Sequence, residues 1–132
     1  MGHSYNNGLH TSSKGFTVDC VRVTGLTVAN GQLCTIAEDC KSGLIASVTH
    51  TAAGVYTFQL SLPFPPKYVL VKPSLSRAGA ASAILTPTYR DASYNATTGQ
   101  FIIDISNATP AAADPASTNE LMVELHFNRY TR

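Results

Sequence analysis

The histidines are the side chains best suited to general acid-base chemistry, and the chain has four of them: His3, His10, His50 and His126. A histidine activates a serine or cysteine only where the two lie side by side and a third group orients the ring. The sequence contains no Gly-x-Ser-x-Gly nucleophile elbow. His3 and His10 lie in a polar N-terminal stretch, His50 ends a predicted strand, and His126 lies on the outward register of another. We therefore interpret all four as surface or interface side chains.

The three cysteines, Cys20, Cys34 and Cys40, are candidate nucleophiles and metal ligands. Their spacings match no zinc-binding pattern, and the chain has no Cys-x-x-Cys pair. An odd number cannot pair completely within one chain, so we expect free thiols that are buried or half-buried. Free thiols are typical of a protein made in a reducing cytoplasm.

Paired carboxylates are a third candidate, because glycosidases need two positioned acids. Asp104 and Glu124 are both predicted at outward strand positions and would approach if their strands were neighbours; solvated positions on a sheet face are the alternative we prefer. Glu124 and His126 share one face, but two ligands do not make a metal site. The Glu38-Asp39 pair lacks the spacing of a calcium loop. The sequence thus predicts no catalytic residue, no metal and no cofactor, and hence a protein that is not an enzyme.

Exposed aromatic rings would be needed to stack against sugars. The chain has no Trp, which leaves Tyr89, Tyr94 and Tyr130 as candidates. Packing at loop bases or at a subunit interface is the alternative for these three. Together with Glu124 and His126, we count them as candidate surface or interface contacts.

Composition excludes several classes of partner. The chain has 132 residues, the usual size of one domain, with 44% hydrophobic and only 13% charged residues. Its net charge is +1 and its basic residues are scattered, so we predict no nucleic-acid or anionic membrane partner. No apolar run reaches the length of a transmembrane helix, and the first 25 residues lack the apolar segment of a signal peptide.

The elements that would position these residues are strands. Residues 54–62, 101–106 and 121–128 alternate apolar and polar side chains, which predicts half-buried antiparallel strands. Five further strands are predicted at 16–24, 32–37, 44–51, 67–71 and 81–89.

The connections carry turn residues. Asn30-Gly31 and Ala52-Ala53-Gly54 predict hairpins, Pro87 marks an edge strand or a bulge, and residues 108–119 form a Pro/Ala/Asp-rich loop. The best helical candidate is the short stretch 36–41. About eight short strands indicate an all-β domain, an antiparallel β-sandwich of jelly-roll kind.

Residues 1–15 differ from the rest, which divides the chain into an extended N-terminal arm (1–15) and a sandwich domain (16–132). The arm is polar and rich in Gly, Asn and Ser, so it has no core of its own and is expected to lie along a partner chain. The predicted partner-binding residues of the arm are His3, Tyr5, Asn6, Asn7, Leu9 and His10.

One segment carries a resemblance to a known group. Residues 46–60 (ASVTHTAAGVYTFQL), followed by 63–71 (PFPPKYVLV), resemble a segment of small virion proteins of tailed phages. Residues 114–117 and 121–127 are similar to the closing strand of that group. The Gly-Val-Tyr-x-Phe pattern also recurs in complement-like and tumour-necrosis-factor-like jelly rolls, so it indicates an architecture.

The resemblance implies a capsid decoration (cement) protein that binds the outer capsid surface and stabilises the shell. Its expected partners are the major capsid protein and copies of itself, as a homotrimer or homodimer. The expected location is the virion, after synthesis in the host cytoplasm. The alternative is a receptor- or glycan-binding tip of a head fibre or tail fibre, but such subunits usually carry a stalk, for which the 15 residues before the first strand leave no room.

Overall fold

The structure, a computed structural model, describes residues 10–11, 16–41, 43–61, 69–77 and 84–128. Within these ranges the chain forms ten strands, one 3-10 helix and no α-helix. The strands are β1 (His10–Thr11), β2 (Phe16–Thr24), β3 (Gln32–Leu33), β4 (Thr35–Ile36), β5 (Ile45–Ala52), β6 (Val55–Leu60), β7 (Val69–Leu75), β8 (Thr86–Tyr89), β9 (Gln100–Ser106) and β10 (Leu121–Asn128). The 3-10 helix spans Glu38–Cys40.

Two antiparallel sheets form a β-sandwich. Sheet one has the order β1-β2-β10-β7, with β4 also pairing with the end of β2. Sheet two has the order β3-β5-β6-β9-β8. The prediction of an all-β antiparallel sandwich is therefore confirmed. Ten strands are described where about eight were expected, because the expected strand 32–37 is divided into β3 and β4 and because β1 is an additional two-residue strand.

The core lies between the inward faces of the two sheets. Alternate residues of each long strand point inward, which is why the period-two pattern of the sequence is so clear. The buried hydrophobic side chains are Val21, Val23, Leu26, Ile45, Val48, Tyr56, Phe58, Leu60, Val71, Phe101, Ile103, Ile105, Leu121, Val123 and Leu125. The Phe58 and Phe101 rings stack at 5.0 Å between centroids, which joins β6 to β9 across the core.

Most long strands fall where the sequence predicts them. β2 matches residues 16–24, β6 and β10 lie within their alternating runs, and β9 begins one residue before the run 101–106. The turn at Ala53 and Gly54 joins β5 to β6 as the predicted hairpin. β8 is an edge strand of sheet two, as Pro87 indicates, and Pro73 is likewise on the edge strand β7.

Other local predictions are wrong. The expected strand 32–37 is two short strands in different sheets, because the chain crosses from sheet two to sheet one at Cys34. Asn30 and Gly31 form a turn, but no hairpin, since β2 and β3 lie in different sheets. The helical candidate 36–41 is reduced to the 3-10 helix.

Candidate functional site

The outward face of sheet two is almost free of charge, and we call it the neutral face. It consists of alternate residues of β5, β6, β9 and β8: Ser47, Thr49, Thr51, Val55, Thr57, Gln59, Gln100, Ile102, Asp104, Ser106, Thr86 and Thr88. Thr49, Thr57 and Ile102 form one cross-strand row at its centre, and all three are half-buried. The hydroxyls of Thr51 and Thr57 are hydrogen-bonded at 2.6 Å.

One carboxylate lies on the neutral face, and it is neutralised. Arg90, just after β8, donates from Nε to Asp104 Oδ2 at 2.8 Å and from Nη2 to Oδ1 at 2.7 Å. This two-point contact raises the pKa of Arg90. Because the pair is at least one-third exposed on both sides, it adds little stability, but it removes the net charge from the face.

The outward face of sheet one has a different composition, and we call it the charged face. It includes Cys20, Arg22, Leu70, Lys72, Ser74, Met122, Glu124 and His126. Cross-strand pairing places Glu124 between Cys20 and Lys72. His126 donates from Nε2 to Glu124 Oε1 at 2.7 Å, so these two residues do share a face, as the sequence predicts. The described residues contain no group of three or more His, Cys, Asp or Glu that could hold a metal ion.

Arg22 holds the 3-10 helix against the charged face, and we call this contact the surface anchor. Its guanidinium donates to Asp39 and to both oxygens of Glu120, at 3.2 and 3.1 Å for the latter. The backbone adds a bond from Ala37 N–H to the Arg22 carbonyl at 2.9 Å. The hydrogen bond from Arg22 holds the pKa of Asp39 below its ordinary value.

His50 is buried, and the interpretation of this residue as a surface side chain is wrong. It is 2% exposed, because β5 has a register shift between Ile45 and Ser47 that turns Val48 and His50 together toward the core. Its ring stacks on Tyr56 at 4.8 Å. The sequence does carry a signal for this burial, because His50 lies two positions after the apolar Val48 and residues at that spacing share one face of a strand.

The polar contacts of His50 tie together three segments, and we call this contact the buried anchor. Nδ1 bonds to the Val28 carbonyl at 2.6 Å and Nε2 to Asp114 Oδ1 at 2.9 Å. The same Asp114 oxygen accepts from the Gly54 N–H at 2.7 Å. Both ring nitrogens therefore face oxygen atoms, those of the Val28 carbonyl and the Asp114 carboxylate. With both nitrogens engaged, the ring has no free position from which to act as a base on a substrate.

The carboxylates weighed as a glycosidase pair lie on opposite sides of the molecule. Asp104 is on β9 of sheet two and Glu124 on β10 of sheet one, each on the outward face. The condition under which they would approach, neighbouring strands, is not met. A two-acid site built from these residues is therefore ruled out by topology.

The tyrosines do not form an exposed platform among the described residues. Tyr89 is half-buried and its ring lies 6.0 Å from that of Phe101. Tyr94 also packs against the core, and burial raises its pKa. Tyr130 lies outside the described residues. Tyr89 and Tyr94 therefore fit the alternative interpretation, in which these rings pack at the base of loops.

Most of the predicted arm lies outside the described residues, including its candidate contacts His3, Tyr5, Asn6, Asn7 and Leu9. His10 and Thr11 form β1, which pairs with β2 at Val18 and Thr17. The two described residues of the arm therefore add a strand to the edge of sheet one, within the same chain.

The cysteines separate into a pair and a single residue. The Sγ atoms of Cys20 and Cys40 are 3.3 Å apart at the charged face. Cys34 is half-buried between β3 and β4 and packs against the core. Burial raises the pKa of Cys20 and of Cys34 to about 11 in each case.

Comparison with known proteins identified no relative: the chain matches no family model, no curated protein sequence and no solved structure. Among the described residues, no helix is long and apolar enough to cross a membrane.

Proposed function

We propose that this chain is a virion structural protein, a capsid decoration protein that binds the outer surface of a tailed-phage shell and stabilises it. The observation that carries the proposal is the neutral face, a broad sheet surface of Thr, Ser, Gln, Val and Ile side chains. The proposed partners are the major capsid protein and further copies of this chain. The proposed place of action is the outside of the virion.

Binding removes water from both surfaces, and the free-energy cost depends on the charges that lose their water. A stable protein interface buries about 1,200–2,000 Å² in total, and unpaired charges inside it are expensive. A face of hydroxyl, amide and small apolar groups loses little on dehydration, and its hydroxyls can form new hydrogen bonds. Asp104 would enter the interface already paired with Arg90, so its charge would not be buried without a partner.

The resemblance to small phage virion proteins supports the same conclusion through packing. Its Gly54-Val55-Tyr56 residues form the β5–β6 turn and the start of β6. Tyr56 is fully buried and donates its hydroxyl to the Leu26 carbonyl at 2.6 Å, while Val55 belongs to the neutral face. The segment thus builds the strand at the centre of the proposed interface.

The test is to place a charge at the centre of the neutral face. Thr57→Lys adds one positive charge on β6, and binding to capsids purified without this chain should weaken at least about tenfold, since the ammonium would be buried unpaired. Ser74→Lys is the matched control, because it adds the same charge at an exposed position of the charged face. Binding would be measured by co-sedimentation, after circular dichroism has shown that both variants are folded.

Two results would contradict the proposal. The first is undiminished capsid binding by Thr57→Lys. The second is an equal loss in both variants, which would indicate a general charge effect and no specific interface.

The arm is tested separately. Deleting residues 1–9 removes His3, Tyr5 and Leu9 but keeps the β1 pairing at His10–Thr11. We expect a folded domain with much weaker capsid attachment. Full-strength binding by this truncated chain would exclude a role for the arm and leave the neutral face to account for attachment.

The receptor- or glycan-binding tip is the weaker alternative. It requires exposed rings, and Tyr89 and Tyr94 are turned toward the core. A glycan array with hits that Tyr89→Ala removes would reverse this order of preference.

A further inference from the structure

Two cysteine side chains from separate segments meet on the charged face. Cys20 points outward from β2, and Cys40 ends the 3-10 helix that lies over the same strand. Their sulfur atoms are 3.3 Å apart, and each thiol serves as the other's hydrogen-bond partner. Both residues are half-buried, so neither thiol is enclosed in the core.

The contact is held in place from both sides. Arg22, two residues after Cys20, donates to Asp39, the residue before Cys40. The Ala37 N–H donates to the Arg22 carbonyl, and the Cys40 N–H donates to the Ala37 carbonyl at 3.2 Å. These bonds hold the segment that carries Cys40 against the stretch of β2 that carries Cys20.

We propose that Cys20 and Cys40 are a redox modification site, which closes into an intramolecular disulfide when the protein meets a thiol oxidant such as oxidised glutathione. A disulfide has its sulfurs about 2.05 Å apart, so the two atoms need to close a gap of roughly 1 Å. The bond would fasten the 3-10 helix covalently to the centre of sheet one.

The exchange is balanced with glutathione disulfide as the co-reactant. The thiolate of one cysteine attacks a glutathione sulfur, which forms a mixed disulfide and releases one glutathione thiolate. The thiolate of the second cysteine attacks the protein sulfur of that mixed disulfide and releases the other. Two electrons pass from the protein to glutathione, and the two protein thiol protons end on the two glutathione molecules.

The environment of Cys20 sets the pace of this exchange. Burial, followed by the hydrogen bond to Cys40, raises the pKa of Cys20 to about 11. Only the thiolate attacks, so the exchange is slow at neutral pH and accelerates as the pH rises. In a reducing compartment the pair stays as two thiols, whereas an oxidising one closes it.

Cys34 is the internal control. It contacts the backbone of His50 on sheet two, and burial raises its pKa to about 11 as well. Its thiol is half-buried like that of Cys20, but the sulfur–sulfur contact among the described residues joins Cys20 to Cys40. If oxidation removes the Cys20 and Cys40 thiols and leaves that of Cys34, the cause is the proximity of the two sulfurs and not a general reactivity of the thiols.

The experiment treats the folded full-length chain with oxidised glutathione, blocks remaining thiols with iodoacetamide and digests with trypsin plus Glu-C. Cleavage after Lys14, Arg22, Glu38 and Lys41 puts the three cysteines on three different peptides. We expect the peptide 15–22 joined to the peptide 39–41, with Cys34 alkylated on 23–38. The intact protein should lose two hydrogen atoms in mass.

Variants separate the proposal from its alternatives. Cys40→Ser should instead accumulate a glutathione adduct on Cys20, since no neighbouring thiol resolves it, whereas Cys34→Ser should close the pair as the wild type does. The chain oxidised in urea should give a mixture of all three pairings. The proposal is overturned if the folded protein gives that same mixture, if Cys34 pairs with either partner, or if the product is a disulfide-linked dimer.

Discussion

The two anchors of this sandwich perform the same task with different physics. On sheet two, the buried anchor holds the 107–119 loop through His50, Asp114 and the Gly54 N–H. On sheet one, the surface anchor holds the 3-10 helix through Arg22 and its two carboxylates. The side chains of His50 and Asp114 are 3% and 42% exposed, whereas those of Arg22 and Asp39 are 27% and 75% exposed.

This difference determines what happens when an anchor is cut. A buried polar group that loses its partner costs about 1–3 kcal/mol, because water cannot replace the lost bond. An exposed ion pair that loses one partner is resolvated, and the median cost is small. The loop on sheet two is therefore part of the cooperative fold, while the 3-10 helix on sheet one is attached more loosely.

The outward faces follow the same division. The 3-10 helix, its carboxylates and the Cys20–Cys40 pair lie over part of the charged face. The neutral face has no such cover from the described residues. A partner chain would therefore pay the smallest dehydration free energy on the neutral face of sheet two. The 107–119 loop of this sheet is held by the buried anchor.

Gly54 gives the largest expected effect, and it tests how tightly the buried anchor is built. Its φ is +67°, and a Cβ there would lie 2.5 Å from the Ile105 carbonyl oxygen and 2.8 Å from the Ala113 nitrogen. Gly54→Ala should lower the free energy of unfolding by about 4 kcal/mol or prevent folding, since backbone atoms cannot yield as a side chain can.

Gly31→Ala is the matched control for this prediction. Gly31 also has a positive φ, +87°, but a Cβ there would meet nothing within 4 Å. The cost should be about 1 kcal/mol, the conformational penalty alone. Urea denaturation of both variants measures the difference, and equal losses would refute the close packing of the 107–119 loop on the turn.

The second prediction cuts each anchor at its centre. His50→Ala removes the ring stacked on Tyr56 and takes one hydrogen bond each from the Val28 carbonyl and from Asp114, whose Oδ1 still accepts from the Gly54 N–H. We expect a loss of about 3 kcal/mol in the free energy of unfolding.

Arg22→Ala is its counterpart on sheet one and should move the melting temperature by no more than a few degrees. Thermal unfolding of the two variants at one pH and one salt concentration provides the measurement. If the arginine variant proved the less stable of the two, burial would not be the property that separates the anchors.

The third prediction converts the weaker anchor into a strong one. A disulfide between Cys20 and Cys40 closes a loop that includes β3 and β4, and it should raise the free energy of unfolding by about 3 kcal/mol if the folded geometry accepts it without strain. The melting temperature of the oxidised protein, compared with the same sample after dithiothreitol, checks this. Cys40→Ser should show no response to the reductant.

The sequence was most informative about the strands, because a half-buried sheet imposes a period of two on its residues. The alternating runs behind β6, β9 and β10 were recognisable for that reason, and residues 16–24 through their content of β-branched residues. Contacts that depend on the order of strands were not. Nothing local indicates that β9 and β10 belong to different sheets, which is what separates Asp104 from Glu124.

The two anchors were equally inaccessible, for a related reason. His50 and Asp114 are 64 positions apart, and the loop that brings them together has no periodic pattern. Arg22 and Glu120 are 98 positions apart, and Asp39 reaches Arg22 because the chain leaves sheet one, visits sheet two at β3 and returns at β4. Gly54 was visible as part of a motif, but the need for glycine there comes from Ile105 and Ala113, far along the chain.

The smallest expected effect concerns the pH dependence of the surface anchor. The Arg22 guanidinium keeps the pKa of Asp39 below its ordinary value in the folded protein, while the unfolded chain titrates near 4. A carboxylate with a lowered folded pKa stabilises the protein at pH values above the unfolded pKa, and that contribution is lost as the pH falls through the lowered one. Asp39→Asn should therefore melt slightly below the wild type at pH 7, with the gap closing as the pH is lowered from about 4. It should also shrink in high salt, because Asp39 is exposed. A gap of constant size from pH 7 to the acid limit would mean that Asp39 contributes through its shape in the 3-10 helix and not through its charge.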